Sequence, residues 1–86
     1  FEGVPKTEIS NVDFENGIDM VNLLAGKTNF IKSNGESIRA LRENSISINK
    51  TKVNDQYIVS KKDLIDNQYI LLQRGKKNYF IIKIIN

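Results

Sequence analysis

The residues of this chain whose type and spacing could do chemistry are cations on a short helix and on two turns. Arg39 and Arg42 lie three positions apart in a segment with helical periodicity, so their guanidinium groups project near one another. Because a guanidinium can bind a phosphate through two parallel N–H bonds and a helix restricts its stem, this pair favours contact with a polyanion. The residues predicted to contact it are Lys27, Lys32, Ser33, Asn34, Arg39, Arg42, Lys50, Lys52, Arg74, Lys76 and Lys77.

A capping box predicts where the helix with the arginines begins. Ser33 can accept a hydrogen bond from the backbone N–H of Glu36, and the Glu36 carboxylate can reach back to the Ser33 N–H. The free N–H groups of this first turn favour an anion, and Lys27 and Lys32 flank it. A structural alternative stays open, in which both arginines pair with the glutamates of the same helix, Glu36 and Glu43.

Histidine and cysteine are absent from the 86 residues. Their absence removes the commonest general base, the commonest zinc ligand, and every thiol or histidine-activated nucleophile. The acidic residues are scattered, and no pair has a spacing that indicates acid–base catalysis. We therefore predict no catalytic site, no metal site and no cofactor in this chain. No apolar run approaches the ~20 residues of a membrane-spanning helix, so no membrane contact is expected.

Charge is distributed unevenly along the chain. Residues 1–26 carry one cation and five anions, whereas residues 27–86 carry twelve cations and five anions. A basic body is the electrostatic signature of a polyanion-binding protein, although a solvated lysine-rich surface would give the same composition. We divide the chain into a mostly extended leader, residues 1–15, and a domain, residues 16–86. Because the sequence starts on Phe1 rather than Met, we expect the leader to link to an upstream domain.

Periodicity predicts two short helices. The first is Asn16–Ala25, with Gly26 as its stop. The second begins at Ser33 or Asn34 and ends at Asn44. Helices of about ten residues are too short to be stable alone, so they need a sheet to pack on.

Alternation and turn residues predict the strands of that sheet. Residues 45–53 alternate between apolar and polar types and contain a tight turn at Asn49-Lys50. Residues 69–85 are typical of a hairpin that turns at Gly75. Its second arm is so rich in isoleucine and aromatic residues that we expect both of its faces to be covered.

The order of these elements predicts a small α+β domain, with two short helices packed on a mainly antiparallel β-sheet. The tyrosines lie in apolar runs, so we expect them in the core rather than stacked on bases. Recognition of shape and phosphate is therefore favoured over the reading of an extended single strand.

Several segments together resemble one family. S-N-G-E-S-I-R-A-L (33–41) followed by S-I-S-I-N-K-T-K-V (45–53) resembles the core of the S-four-like RNA-binding superfamily, and more closely the end of bacterial-type tyrosyl-tRNA synthetases. The ending L-L-Q-R-G-K-K-N-Y-F-I-I-K (71–83) is similar to the C-terminal hairpin of that family. I-D-M-V-N-L-L-A (18–25) resembles the helix that precedes its core. The segments occur in the family's order.

The resemblance implies a C-terminal, S-four-like domain that grips tRNA-Tyr around the anticodon stem and the long variable arm. It also implies an upstream catalytic domain that uses ATP to attach tyrosine, a homodimer formed through that domain, and a cytoplasmic location. By position, the residues that correspond to the family's RNA face are Ser33, Asn34, Arg39, Lys50, Lys52, Arg74, Gly75, Lys76 and Lys77.

The sequence departs from the family pattern at three places. Ser37 stands where the family has a small alanine, Ile38-Arg39 where it has two arginines, and Asn44-Ser45 where it has two glycines. Arg42, one turn along, is expected to compensate for the missing arginine. Other interpretations remain open: an S-four-like module that binds ribosomal RNA, the RNA-guiding appendage of a pseudouridine synthase, or a structural protein–protein module.

Overall fold

The computed structural model describes residues 3–85; Phe1, Glu2 and Asn86, and with them the start of the predicted leader, lie outside the described residues. The strands are β1 (Lys6–Ser10), β2 (Ile18–Asp19), β3 (Ile46–Ile48), β4 (Thr51–Lys52), β5 (Ile58–Val59), β6 (Tyr69–Arg74) and β7 (Asn78–Ile85). The helical segments are two 3-10 turns (Asn11–Phe14 and Lys61–Asp63), a π-helix (Asn22–Lys27) and α1 (Asn34–Arg42).

The main sheet has five strands in the order β1-β7-β6-β3-β4. β1 runs parallel to β7, and the other three pairs of this sheet are antiparallel. β2 and β5 pair separately as a small antiparallel ribbon. The prediction of a small α+β domain, with two helices on a mainly antiparallel sheet, is confirmed by the π-helix, α1 and this sheet.

Part of the predicted leader belongs to the main sheet. β1 lies along β7, with Lys6 opposite Ile81 and Ser10 opposite Ile85. Ile9, in the middle of β1, is only 5% exposed and is part of the core. A boundary after residue 15 therefore cuts through the fold, because β1 supplies one edge of the sheet.

The first helix begins later than its periodicity predicts. The residues predicted as its first turn form β2, and Gly17 before them has a φ of +80°. A Cβ on Gly17 would lie 2.5 Å from Ile58 Cγ2, so glycine also permits the close approach of β5. The Asn22 N–H donates to Asp19 Oδ2 at 3.1 Å, so the last residue of β2 satisfies a backbone donor at the start of the π-helix. Gly26, the predicted stop, lies inside the π-helix.

Thr28 ends the π-helix and turns the chain towards α1. Its buried hydroxyl donates to two carbonyl oxygens, Leu23 O at 2.8 Å and Leu24 O at 3.1 Å. The same oxygen accepts from the Phe30 N–H at 3.1 Å. These bonds satisfy carbonyl groups that a helix end leaves unpaired, and they fix the short connection to α1.

The two faces of the main sheet differ in what covers them. The packed face bears the side chains that join the helices and the ribbon in one core, namely Ile9, Ile46, Ile48, Ile70, Leu72, Phe80 and Ile82. The alternate residues form the open face, namely Lys6, Glu8, Ser47, Lys52, Tyr69, Leu71, Gln73, Tyr79, Ile81 and Lys83.

The open face has no second layer of structure among residues 3–85. Leu71 and Ile81 are 8% and 7% exposed, but they do not belong to the core cluster. The expectation that both faces of the last strand are covered is confirmed at the centre of β7, where Phe80, Ile81 and Ile82 are all buried, whereas Lys83 on the open face is exposed.

Both predicted turns are confirmed. Asn49 and Lys50 have φ values of +51° and +74°, as a two-residue hairpin turn with matching twist requires, and Gly75 has a φ of +68°. The Asn49 side chain donates to Asp63 O at 2.5 Å and accepts from the Leu71 N–H at 2.9 Å. The β3–β4 turn is thus fastened to two other segments.

A hydrogen bond between two side chains stabilises the segment after β5. Ser60 and Asp63 form a capping box, in which the Ser60 N–H donates to Asp63 Oδ2 at 3.0 Å. The other carboxylate oxygen accepts a short hydrogen bond from the Tyr57 hydroxyl. This bond, together with burial and the negative charge of Asp63, raises the pKa of Tyr57 to about 12.

Candidate nucleic-acid interface

α1 begins at Asn34 because Ser33 caps it. Ser33 Oγ accepts from the Glu36 backbone N–H at 3.1 Å. The Glu36 carboxylate, which the sequence predicted would return to Ser33, instead accepts from Arg74, with 3.3 Å between Oε1 and Nη1. The first half of the capping box is therefore formed, and the second half is replaced by an ion pair to the β6–β7 hairpin.

This ion pair brings the hairpin tip against the first turn of α1. The tip is also tied to the chain that leaves α1, because the Gly75 N–H donates to Ser45 O at 2.9 Å. We call the combined basic area the helix–tip surface; it comprises Lys32, Ser33, Asn34, Arg39, Arg74, Gly75, Lys76 and Lys77. All of these residues are exposed except Arg74, which is half-buried. The structure thus places the predicted helix cations and tip cations side by side.

A cavity of about 340 Å³ opens beside the helix–tip surface. Phe30 closes its inner side, since the Phe30 ring packs on that of Phe80 with 5.3 Å between centroids. Two of its wall residues are cations that can bind a phosphate oxygen. The lining residues are Pro5, Phe30, Arg74, Lys77, Asn78 and Tyr79.

The two arginines of α1 differ in what they contact. Arg42 Nε lies 3.2 Å from Asp55 Oδ2, outside the helix. Arg39 is exposed, and among residues 3–85 no carboxylate is close enough to form an ion pair with it. The alternative of pairing with Glu36 and Glu43 is therefore wrong for both. Arg39 is the arginine of α1 that is left for an external anion.

Lys27 does not join the helix–tip surface. Its Nζ lies 3.4 Å from Asp13 Oδ2, in the 3-10 turn after β1. The ion pair holds this cation against the acidic N-terminal segment, although the sequence predicted it beside the start of α1.

Lys50 and Lys52 lie on the β3–β4 hairpin and belong with the open face. Lys52 is exposed and stands opposite Ser47. Lys50 Nζ donates to Tyr79 Oη at 3.2 Å and lies 5.0 Å from the centre of the Tyr79 ring. Apart from Lys27 and Arg42, which pair with Asp13 and Asp55, the predicted site residues are therefore divided between two surfaces, one on α1 and the tip, and one on the sheet.

Tyr79 is the residue that the sequence reasoning missed. It precedes Phe80, which packs in the core, and the two alternate along β7. Alternation alone places one of them outside the core, but the pairing of strands is needed to show that Tyr79 shares a face with Lys50. The contact joins two residues that are 29 positions apart.

The described residues include no group of three or more His, Cys, Asp or Glu side chains able to hold a metal ion. None of the helices within residues 3–85 has the length and apolar character needed to cross a membrane. What the described side chains offer is exposed cations and a half-buried tyrosine ring. In proteins, such groups can bind phosphates and bases.

Comparison with known proteins gives a consistent result. The family model described as "Tyrosine--tRNA ligase SYY-like C-terminal domain" matches residues 1–82. The tyrosine–tRNA ligase of Flavobacterium johnsoniae is 53% identical over 85 residues, which is 99% of this chain and 20% of that protein. The ligase of Porphyromonas gingivalis is 37% identical over 83 residues, 95% of this chain and 19% of that protein. That of Bacteroides thetaiotaomicron is 39% identical over 84 residues, with the same coverage.

Proposed function

Because the chain belongs to the family of tyrosine–tRNA ligase SYY-like C-terminal domains, we propose that it binds tRNA-Tyr through the helix–tip surface. The expected region of the tRNA is the anticodon stem with the long variable arm. The relatives carry the name of a ligase, and the chain spans about a fifth of their length. The attachment of tyrosine is therefore assigned to the rest of a longer protein.

One observation carries this proposal: the Arg74–Glu36 ion pair, which joins the start of α1 to the hairpin tip. The ion pair acts together with the Gly75 N–H bond to Ser45 O, so the tip and the helix are held against each other. Their cations then lie on two rigid elements of one basic area. Such an area can hold the backbone of a folded RNA at several phosphates at once.

The ion pairs of the structure separate the stronger phosphate ligands from the weaker ones. Arg39, Lys76 and Lys77 are exposed and form no ion pair with a described residue, so binding a phosphate costs them no existing pair. Arg42 and Arg74 already contact carboxylates, and a phosphate must compete with these. We therefore assign the main contacts to the first three, and a positioning role to Arg74.

The longer protein completes the function. We propose that an upstream catalytic domain of the same chain uses ATP to activate tyrosine, and that this domain also forms a homodimer in the cytoplasm. The present domain would need no cofactor of its own. Its part would be to hold tRNA-Tyr so that the acceptor end reaches the catalytic domain.

Charge-removing variants test the assignment. Arg39→Gln and Lys76→Gln should each weaken tRNA-Tyr binding, and each should reduce the slope of log affinity against log salt by about one. Lys61→Gln is the matched control, because Lys61 is exposed but pairs with Glu15 at 3.7 Å, away from the helix–tip surface. Binding is measured by titration at several salt concentrations. If both variants keep the parent affinity and salt slope, the RNA surface lies elsewhere.

A further inference from the structure

The open face combines flat, mostly polar rows with exposed cations. One row across four strands is Lys52, Ser47, Gln73 and Tyr79, as the pairing of β4, β3, β6 and β7 shows. The next contains Leu71, Ile81 and Lys6, and the one after it Tyr69, Lys83 and Glu8. The centre is shielded and apolar, whereas the rim is charged.

Charge on the open face favours an anionic partner. Four lysines stand on it or reach over it, against one carboxylate, Glu8. Glu8 lies beside Lys83 in the pairing of β1 with β7, and both line a cavity of about 410 Å³ at this edge. The lysines are Lys6, Lys50, Lys52 and Lys83.

Tyr79 has the geometry of a stacking platform. Tyr79 is half-buried, and the Lys50 ammonium lies over its ring, 5.0 Å from the ring centre and 3.2 Å from the hydroxyl oxygen. This contact orients the ring and sets a cation beside it. Tyr69 lies on the same face in the neighbouring strand, β6, two residues before Leu71, which pairs with Ile81. Two tyrosines on adjacent central strands, with lysines around them, are what sheet-based binders of unpaired RNA use.

We propose that the open face is a second nucleic-acid site, which binds single-stranded RNA by stacking bases on Tyr79 and Tyr69 while lysines contact the phosphates. It differs from the helix–tip surface in its ligand, because stacking requires bases that are not enclosed in a duplex. The two surfaces meet at Tyr79, which also lines the cavity beside the hairpin tip. One RNA with a paired stem and an unpaired loop can therefore contact both.

The test uses NMR titration of the 86-residue chain with two probes, an oligouridylate of about ten nucleotides, within the usual site size of single-strand binders, and a blunt RNA duplex. The single strand should shift the amide signals of the open face, with the largest changes at Ser47, Gln73, Tyr79 and Ile81. The duplex should shift those of Ser33–Arg39 and Arg74–Lys77. Single-strand shifts confined to the helix–tip surface would overturn the proposal.

Variants separate stacking from charge. Tyr79→Leu should weaken oligouridylate binding about tenfold, whereas Tyr79→Phe, which keeps the ring, should change it by less than about twofold. Lys83→Gln, five residues beyond the start of β7 at Asn78, should weaken binding of the single strand but not of the duplex. Lys62→Gln, on an exposed 3-10 turn, is the matched control. Thermal melting of each variant checks that the fold is intact.

The outcomes distinguish this proposal from the function assigned to the helix–tip surface. If Tyr79→Leu binds oligouridylate as tightly as the parent, the open face is not a stacking site, even if Arg39→Gln still weakens tRNA. If an acidic protein or polyglutamate shifts the open face as strongly as RNA does, its partner is a protein surface and the proposal fails. If a variant loses only duplex binding, the result bears on the helix–tip surface. Amide shifts that a single strand causes, and that Tyr79→Leu abolishes, would still support the open-face site.

Discussion

The packed face and the open face of the main sheet are made by the same strands, but they differ in what they contribute. Ile82 and Ile81 are neighbours in β7, and their side chains are 0% and 7% exposed. Ile82 belongs to the core cluster that includes residues of the helices, whereas Ile81 does not. In a domain this small, stability is concentrated on one side of the sheet. The other side is available for binding.

The largest expected effect is the difference between these two isoleucines. Ile82→Ala leaves a cavity in the closed core and should lower the free energy of unfolding by about 3–4 kcal/mol. Ile81→Ala should lower it by only about 1 kcal/mol, because water and the surrounding side chains can occupy the space. Urea denaturation measures both losses. Ile82→Val should lower the free energy of unfolding by about 1 kcal/mol, and it gives a folded variant to measure if Ile82→Ala does not fold. Equal losses for the two alanine variants would show that the open face is packed as tightly as the core.

The turn that presents Lys50 to the open face should give the next largest effect. Asn49→Ala removes two side-chain hydrogen bonds and puts alanine at a φ of +51°, so we expect a loss of about 2–3 kcal/mol. Asn49→Gly tolerates this φ and should lose about 1 kcal/mol. Chemical denaturation of both variants separates the cost of a positive φ, which only alanine bears, from the cost of losing the side-chain hydrogen bonds, which both variants bear. If glycine costs as much as alanine, φ strain plays no part.

Tyr57, which packs against the core on the covered side, gives a prediction at alkaline pH. The Tyr57 hydroxyl donates to Asp63, and the pKa of Tyr57 rises to about 12 from the usual 10. The folded state therefore holds this proton more tightly than the unfolded chain, so the stabilisation is fully present below pH 10 and is lost as the pH rises to about 12. Tyr57→Phe should flatten the fall in stability over this window. Ultraviolet absorbance of tyrosinate follows the titration, and a Tyr57 that ionises at its ordinary pH would contradict the bond.

The smallest effect should come from Lys50 itself. Lys50→Met removes an exposed contact to the Tyr79 hydroxyl and ring, so we expect a loss of about 0.5 kcal/mol. Lys52→Met, on the same hairpin and exposed, is the control and should change stability by less than that. Thermal melting compares them. A loss above about 2 kcal/mol for Lys50→Met would mean that the Lys50–Tyr79 contact is structural.

The caps and turns of this chain were predictable from sequence because they depend on residues that are close to one another in the sequence. Ser33 caps α1, Asn49-Lys50 forms a tight turn, and Gly75 turns the last hairpin, each as the residue types require. The class of fold follows from the same signals, since two short helices need a sheet to cover.

The features that sequence alone did not predict depend on distant pairing. Ile18 and Asp19 of β2 pair with Val59 and Ile58, and Asp19 accepts from the Asn22 N–H at the start of the π-helix. The helix therefore begins after the point that periodicity indicates. Glu36 meets Arg74, and Lys50 meets Tyr79, across 38 and 29 residues. Periodicity gives the direction of a side chain relative to its own segment. The partner comes from the strand order, which one sequence does not show.

The parallel pairing of β1 with β7 has a consequence for the order of folding. It joins residues 6–10 to residues 81–85, so the sheet cannot be completed until β7 has been synthesised. During synthesis from the N-terminus, β1 stays unpaired until β7 has emerged, and the pairing of β6 with β7 is likewise delayed. Contacts so far apart in sequence also slow folding, because a long loop must close before they form. We expect β1 to dock last, after the β6–β7 hairpin has provided an edge for it.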